Sequence, residues 1–299
     1  MSLLVVGSVA LDDIEAPAGS VKSVLGGAAS YCAIASSYFV RTQAVGVTGD
    51  DFPQAHLDFL ASRGVDLAGV TRAPGRTFRW GGRYHSSLNQ RDTLFTDLGV
   101  FERFDPVLPA SYCDAPFVFL ANIHPTLQRS VIDQARAPRF SAMDTMNFWI
   151  EGERAELERT LSRVTGLVIN DEEAHLLTGE SNLVRAADAI RALGPTTVIV
   201  KRGEHGALLF DEAGIFAAPA FPLREVQDPT GAGDSFAGGF MGALAAGGSL
   251  AVDAMRRAVI YGSVLASFCV ERFSLDRFRT LTRAEIDERF EQFRRLTSF

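Results

Sequence analysis

The feature that most constrains this 299-residue chain is the run from Val226 to Ala246, V-Q-D-P-T-G-A-G-D-S-F-A-G-G-F-M-G-A-L-A-A. Gly231, Ala232 and Gly233 carry almost no side chain, and beyond Asp234 the apolar residues Phe236, Phe240, Met241 and Leu244 recur at helical spacing. A loop must therefore feed directly into a helix. The first turn of a helix leaves backbone N–H groups unpartnered at the positive end of its dipole, so glycines that admit a ligand there create an anion site. Two common phosphate loops are excluded. Phe236 stands where G-x-G-x-x-G needs its third glycine, and no Gly-Lys-Ser/Thr follows the glycines as Walker A requires.

Asp234 is the anomaly: a carboxylate where a phosphate would sit, with mutual repulsion at close range. Two explanations stand at this level. The aspartate caps and charges the first helical turn, or it serves phosphoryl transfer by accepting a hydroxyl proton while amides and a metal neutralise phosphate charge.

D-P-T-G-A-G-D-S-F at 228–236 closely resembles the signature of the ribokinase-like (PfkB) family of carbohydrate and nucleoside kinases. Weaker similarities follow in family order: G-S-V-A-L-D ending at Asp12, the pair Gly26-Gly27, Asn170-x-x-Glu173, and Lys201-x-Gly203-x-x-Gly206. The resemblance implies an ATP-dependent kinase with Asp234 as general base and the amides of Gly231, Ala232 and Gly233 as anion hole. It places magnesium and phosphate near Asn170 and Glu173, with Glu173 reaching the metal through water, and nucleotide near Lys201, Gly203 and Thr230. It also implies a potassium ion near Asp228 and Thr230.

The same residues have plainer readings. Asn170 with Glu173 is a capping box, Lys201 to Gly206 is a charged turn, and Gly26-Gly27 is a tight turn. Asp12 is the best candidate for substrate hydroxyls, since a carboxylate accepts two hydrogen bonds from vicinal hydroxyls. Asp144 and the aromatic Trp80 are candidates to complete and cover that pocket. Ribose is disfavoured as substrate. Many ribokinases have asparagine where Ala10 stands, and their G-G-K-G-A-N is Gly26-Gly27-Ala28-Ala29-Ser30-Tyr31 here.

Fold class follows from pattern. Leu3–Val6 is an unbroken apolar run of the kind buried in a parallel sheet, and βα steps recur along the chain, which predicts a doubly wound α/β core with helices on both faces. Thr77–His85 instead alternates aromatic and polar residues, as in an antiparallel sheet with one solvated face. The expected division is a core of 1–12, 26–70 and 100–299 with a small β lid of 13–25 and 71–99.

A net charge of −7 leaves no basic field, which argues against a nucleic-acid partner. The three cysteines are scattered, no signal peptide is evident and no apolar tract reaches a membrane span, so a cytoplasmic protein is expected. The favoured substrate is a sugar or polyol. One alternative is a nucleoside kinase in which Tyr31, Phe78 or Trp80 stacks a base. Another is a non-catalytic sugar or nucleotide sensor. A monomer and a homodimer paired through the lid are both compatible with the alternating strand.

Overall fold

The computed structural model describes residues 1–298. The chain opens with β1 (Ser2–Val6), β2 (Ala10–Ala16), β3 (Gly19–Gly26) and α1 (Ala28–Ser37), followed by β4 (Arg41–Thr48), α2 (Gln54–Ser62) and β5 (Val65–Arg72). A hairpin of β6 (Arg79–Tyr84) and β7 (Arg91–Asp97) comes next. The βα rhythm then resumes through β8 (Phe117–Leu120), α3 (Pro125–Gln134), β9 (Phe140–Asp144), α4 (Asn147–Gly152), α5 (Arg154–Leu161) and β10 (Gly166–Asn170). It continues with α6 (Asp171–Thr178), α7 (Leu183–Ala192), β11 (Thr197–Lys201), β12 (Ala207–Asp211) and β13 (Gly214–Ala218). Four helices close the chain: α8 (Ala232–Gly247), α9 (Val252–Cys269), α10 (Asp276–Thr280) and α11 (Arg283–Thr297).

The large sheet has the order β13-β12-β11-β10-β9-β8-β1-β4-β5. Its seven strands from β11 to β5 run parallel, and only the β11–β12 and β12–β13 pairs are antiparallel. Successive side chains of β1 serve opposite cores. Leu3 and Val5 pack with Phe117, Phe119 and the helices α1, α8 and α9, whereas Leu4 and Val6 pack with Val118, Leu120 and the helices α3, α5, α6 and α7. Burial on both faces is why the strand reads as continuous rather than alternating apolar residues. The strand order reverses at β1, so a ligand crevice is expected beyond the carboxyl ends of the strands around it.

Helix α8 lies unusually close to α1: a Cβ on Gly238 would fall 2.3 Å from the Cys32 carbonyl oxygen. Glycine at that contact lets α1 and α8 bring their amino ends together over the same edge of the sheet.

The second sheet has the order β3-β2-β6-β7. Its β2–β6 pair is parallel, between two antiparallel pairs, where alternation alone predicted an antiparallel sheet. The reason is topological: β2 continues from β1 and β6 from β5, two parallel strands of the large sheet, so both enter the small sheet in one direction. Two short helices, α4 and α5, meet at Glu153, whose φ −128° and ψ +34° break the helical run between them.

Candidate active site

Three neighbouring parallel strands end side by side in polar residues. Asp144 is the last residue of β9, Asn170 of β10 and Lys201 of β11, and Asn170 lies in register with Lys201. Above them is the amino end of α8. Gly231, the N-cap residue, has φ +74°, and a Cβ there would strike the Tyr31 ring at 2.3 Å. That position therefore admits only glycine. Asp234 follows in the first turn.

Lys201 crosses to the same helix end, since a Cβ on Gly233 would meet its Nζ at 2.8 Å. Its ammonium is 3.9 Å from Asp144 Oδ2, with both side chains largely buried. Burial works against the lysine charge, but Asp144, Glu173 and Asp234 outweigh it, and Lys201 holds its proton more tightly than usual.

The capping box of the plainer reading is present. Asn170 Oδ1 accepts from the Glu173 amide at 2.7 Å, and Glu173 Oε2 accepts from the Asn170 amide at 3.0 Å. Glu173 also belongs to the charged cluster. Burial lifts its carboxyl to about 7, with Lys201 pulling down and Asp144 pushing up. Asp234 is lifted to about 7 as well, first by burial and then by Asp144, against the pull of Lys201 and Arg91. Asp144 is raised by burial and restrained by Lys201.

Asp12 lies next to this cluster, in β2 rather than in a loop, and is 4% exposed. Burial lifts its carboxyl to about 8, and Asp228 and Asp234 add to the shift. Gly26 presses directly on it, as a Cβ there would fall 2.0 Å from Asp12 Oδ2, and the Gly27 amide acts on the same carboxylate. Ser8, just after β1, holds the start of α1 in place, with its Oγ accepting from the Ala28 amide at 3.0 Å.

Asp228 is fully buried and ties two loops together. Its Oδ1 accepts from the Thr230 amide at 2.8 Å and its Oδ2 from the Ser274 amide at 2.9 Å. Burial raises its carboxyl even so. Thr230 Oγ1 donates to the Tyr84 hydroxyl at 3.2 Å, which fastens the small sheet to the glycine loop. Trp80 pairs in register with Asp12 across β2 and β6. Gly203, at the turn after β11, lies under the hairpin tip: a Cβ there would be 3.1 Å from Asn89 Oδ1.

Asp12, Gly26, Gly27, Asp144, Asn170, Glu173, Lys201, Gly203, Asp228, Thr230 and the 231–234 turn thus gather at one edge of the large sheet, with Trp80 facing them from the small sheet. Tyr84, legible in the sequence as a polar aromatic of the alternating lid strand, is brought there too, whereas sequence reasoning missed Asn89 and Arg91, which the small sheet brings to the same place. No local pattern marks them, since Arg91 opens a strand that is exposed along its whole length. Of the rings considered for stacking, Tyr31 is 1% exposed with its hydroxyl unpartnered, and Phe78 stacks on Phe101 at 5.3 Å. Both are committed to packing.

Among the described residues no group of three or more His, Cys, Asp or Glu is arranged to hold a metal. Magnesium is commonly held by one or two carboxylates together with phosphates and water. Asp144, buried, and Glu173, half-buried, lie in a cluster of net negative charge and fit that mode of binding. No helix among the described residues is long and apolar enough to cross a membrane.

The sequence pattern of the pfkB family carbohydrate kinase matches residues 2–277. The chain is 31% identical over 256 residues to a cytidine kinase of Thermococcus kodakarensis, covering 83% of this chain and 90% of the relative. Its fold is that of a nucleoside kinase of Burkholderia thailandensis solved with inosine, with a TM-score of 0.75, 23% identity and 97% and 98% of the two chains covered. An E. coli protein described as a ribokinase II, solved with ATP and Mg2+, superposes with a TM-score of 0.79 at 22% identity, covering 97% and 99%.

Proposed function

Because this chain belongs to the pfkB family of carbohydrate kinases, we propose that it transfers the γ-phosphoryl group of ATP to a hydroxyl of a sugar or sugar-like polyol at the carboxyl edge of its large sheet. One observation carries the reading. Asp234 stands in the first turn of α8, within electrostatic reach of the buried Asp12 and of the Lys201 ammonium that comes to the same turn.

Asp12 accepts the hydrogen bonds of the acceptor's hydroxyls. Asp234 takes the proton of the attacking one, and the amides of Gly231, Ala232 and Gly233 stabilise the charge that develops on the transferring group. Lys201 neutralises phosphate at the helix end. Glu173, oriented by Asn170, and Asp144 would hold magnesium, which supplies neutralisation of the phosphate oxygens when bound. Because the transition state is largely dissociative, positioning counts for more than base strength. Asp228, buried without a cationic side chain in contact, suits a monovalent cation such as potassium.

A nucleoside acceptor is the second reading, favoured by the similarity to a cytidine kinase. With Tyr31 and Phe78 packed away, Trp80 is the ring left to stack a base beside Asp12.

The test is magnesium-dependent ADP release against a panel of pentoses, hexoses, inositols and nucleosides, with Asp234→Asn as blank. A response confined to sugars or polyols supports the first reading, and one confined to nucleosides the second. Silence across the panel despite ATP binding would contradict both.

A further inference from the structure

The small sheet brings a cation to a site rich in carboxylates. Arg91 stands opposite Tyr84 in the β6–β7 pair, beside the Tyr84 hydroxyl, and its guanidinium lies 5.2 Å over the Trp80 ring. Tyr84 is bonded to Thr230 of the glycine loop, and Asn89 lies against Gly203, so this end of the hairpin touches both loops that flank the helix end. The arginines of the neighbouring β6 have carboxylate partners within the sheet: Arg79 pairs with Asp13 at 3.3 Å and Arg83 with Glu15 at 2.6 Å. Arg91 rests on an aromatic face instead, within electrostatic reach of Asp234 and Glu173.

The core supplies Lys201 against Asp12, Asp144, Glu173, Asp228 and Asp234, a poor balance for a site that must also accept a polyphosphate. Arginine suits the missing role, because its planar fork binds phosphate oxygens in pairs and its cation–π contact is weak enough to exchange.

We propose that Arg91 is a catalytic residue of the phosphoryl transfer, moving from the Trp80 face onto the oxygens of the γ-phosphoryl group when nucleotide and acceptor are bound. The inference rests on the kinase reading above. In the step, the bond from the γ-phosphorus to the β–γ bridging oxygen breaks and a bond to the acceptor oxygen forms. The acceptor's proton passes to Asp234 and ADP departs. Arg91 keeps its protons throughout and binds the charge spread over the equatorial oxygens. Seating of the lid and stabilisation of the transition state are then one event.

Two measurements on the full chain test this. With the acceptor identified by the panel, Arg91→Gln is expected to lower kcat about 100-fold and Arg91→Lys about 10-fold, with the acceptor KM within about threefold and the melting temperature unchanged. That is less than the largest arginine effects known because Lys201 and the helix end remain. The second readout needs no turnover. In a Trp149→Phe background only Trp80 emits, and a non-hydrolysable ATP analogue with magnesium is expected to change its emission where ADP does not. Arg91→Gln should abolish that difference. Should Trp149→Phe fail to fold, Trp80→Phe in the intact background is expected to remove the analogue-specific signal.

Turnover of Arg91→Gln within threefold of the parent would overturn the proposal, as would an identical Trp80 response to the analogue and to ADP. If the parent itself phosphorylates nothing in the panel, the kinase reading fails first. The emission comparison then still decides whether Arg91 follows the γ-phosphate.

Discussion

Charged side chains crowd together in two regions of this molecule, and they behave in opposite ways. Beside α10 and α11, Arg277 meets Glu271 at 2.9 Å and Glu285 at 2.6 Å, while Arg289 meets Glu271 at 2.7 Å. The same guanidiniums lie on the Phe268 ring, that of Arg289 at 3.4 Å. Every carboxylate there has a donor in contact. Glu285 is held down to about 2, first by the Thr282 hydroxyl and then by Arg277. At the carboxyl edge of the large sheet, five carboxylates face a lysine no nearer than 3.9 Å to its partner Asp144. Burial there lifts Asp12 to about 8 and Asp234 and Glu173 to about 7. Density of charge is similar, but balance is not. The first region is satisfied by its own residues and pins α11 to the core. The second keeps an excess of buried carboxylates over cations, an imbalance of the kind found where groups await a ligand.

Substitutions can break this contrast in graded ways. Lys201→Met should have the largest effect, lowering kcat/KM for ATP about 100-fold, because a charge-assisted contact at a buried phosphate site is lost. It should also move the pH profile. In the parent, kcat/KM is expected to rise as pH passes through about 7, where Asp234 gives up its proton. Lys201 pulls that carboxyl down, so its removal should shift the rising limb to higher pH. An unshifted limb would show that Asp234 does not set it.

On the balanced side, Arg277→Met should cost about 3 kcal/mol in urea unfolding by leaving Glu271 and Glu285 short of a partner. Its kcat should stay within about twofold of the parent. A large loss of activity in the folded variant would mean that the two regions are coupled.

The smallest effect has the opposite sign. Asp12 has a folded-state pKa of about 8, far above the ordinary 3.8, so its contribution to stability is complete below the unfolded value and disappears as pH rises through about 8. Asp12→Asn should therefore stabilise the protein by about 1–2 kcal/mol near pH 8 and by less near pH 5, while weakening the acceptor. Thermal unfolding at the two pH values measures the difference. An equal change at both would mean that the charge of Asp12 does not strain the fold.

What the sequence made legible follows the range of its signals. The 228–236 loop and the α8 pattern are local, and the ends of β9, β10 and β11 follow from apolar runs that stop at Asp144, Asn170 and Lys201. The reverse holds for the small sheet. Thr77–His85 reads as a strand, but its parallel partner β2 lies some seventy residues earlier, and nothing in 10–16 announces that pairing. Arg91 is an exposed arginine like many others until Tyr84 meets Thr230, 146 residues away. Asp12 is legible as a substrate candidate but its burial is not, because Gly26 presses on it from the paired strand β3 and not from its own sequence neighbours. Short elements such as β13 and α10 carry too few residues for a period to emerge.

The most direct test of the site is phosphorus NMR of ATP, magnesium and the responding acceptor, run with the parent protein and with Asp234→Asn at matched saturation. Proton removal by Asp234 predicts a new phosphomonoester resonance growing in step with ADP for the parent, and a rate lower by about 100-fold or more for the variant, with ATP still bound. A phosphomonoester formed by Asp234→Asn at the parent's rate would contradict that role and leave Asp234 only as a charge in the first turn of α8.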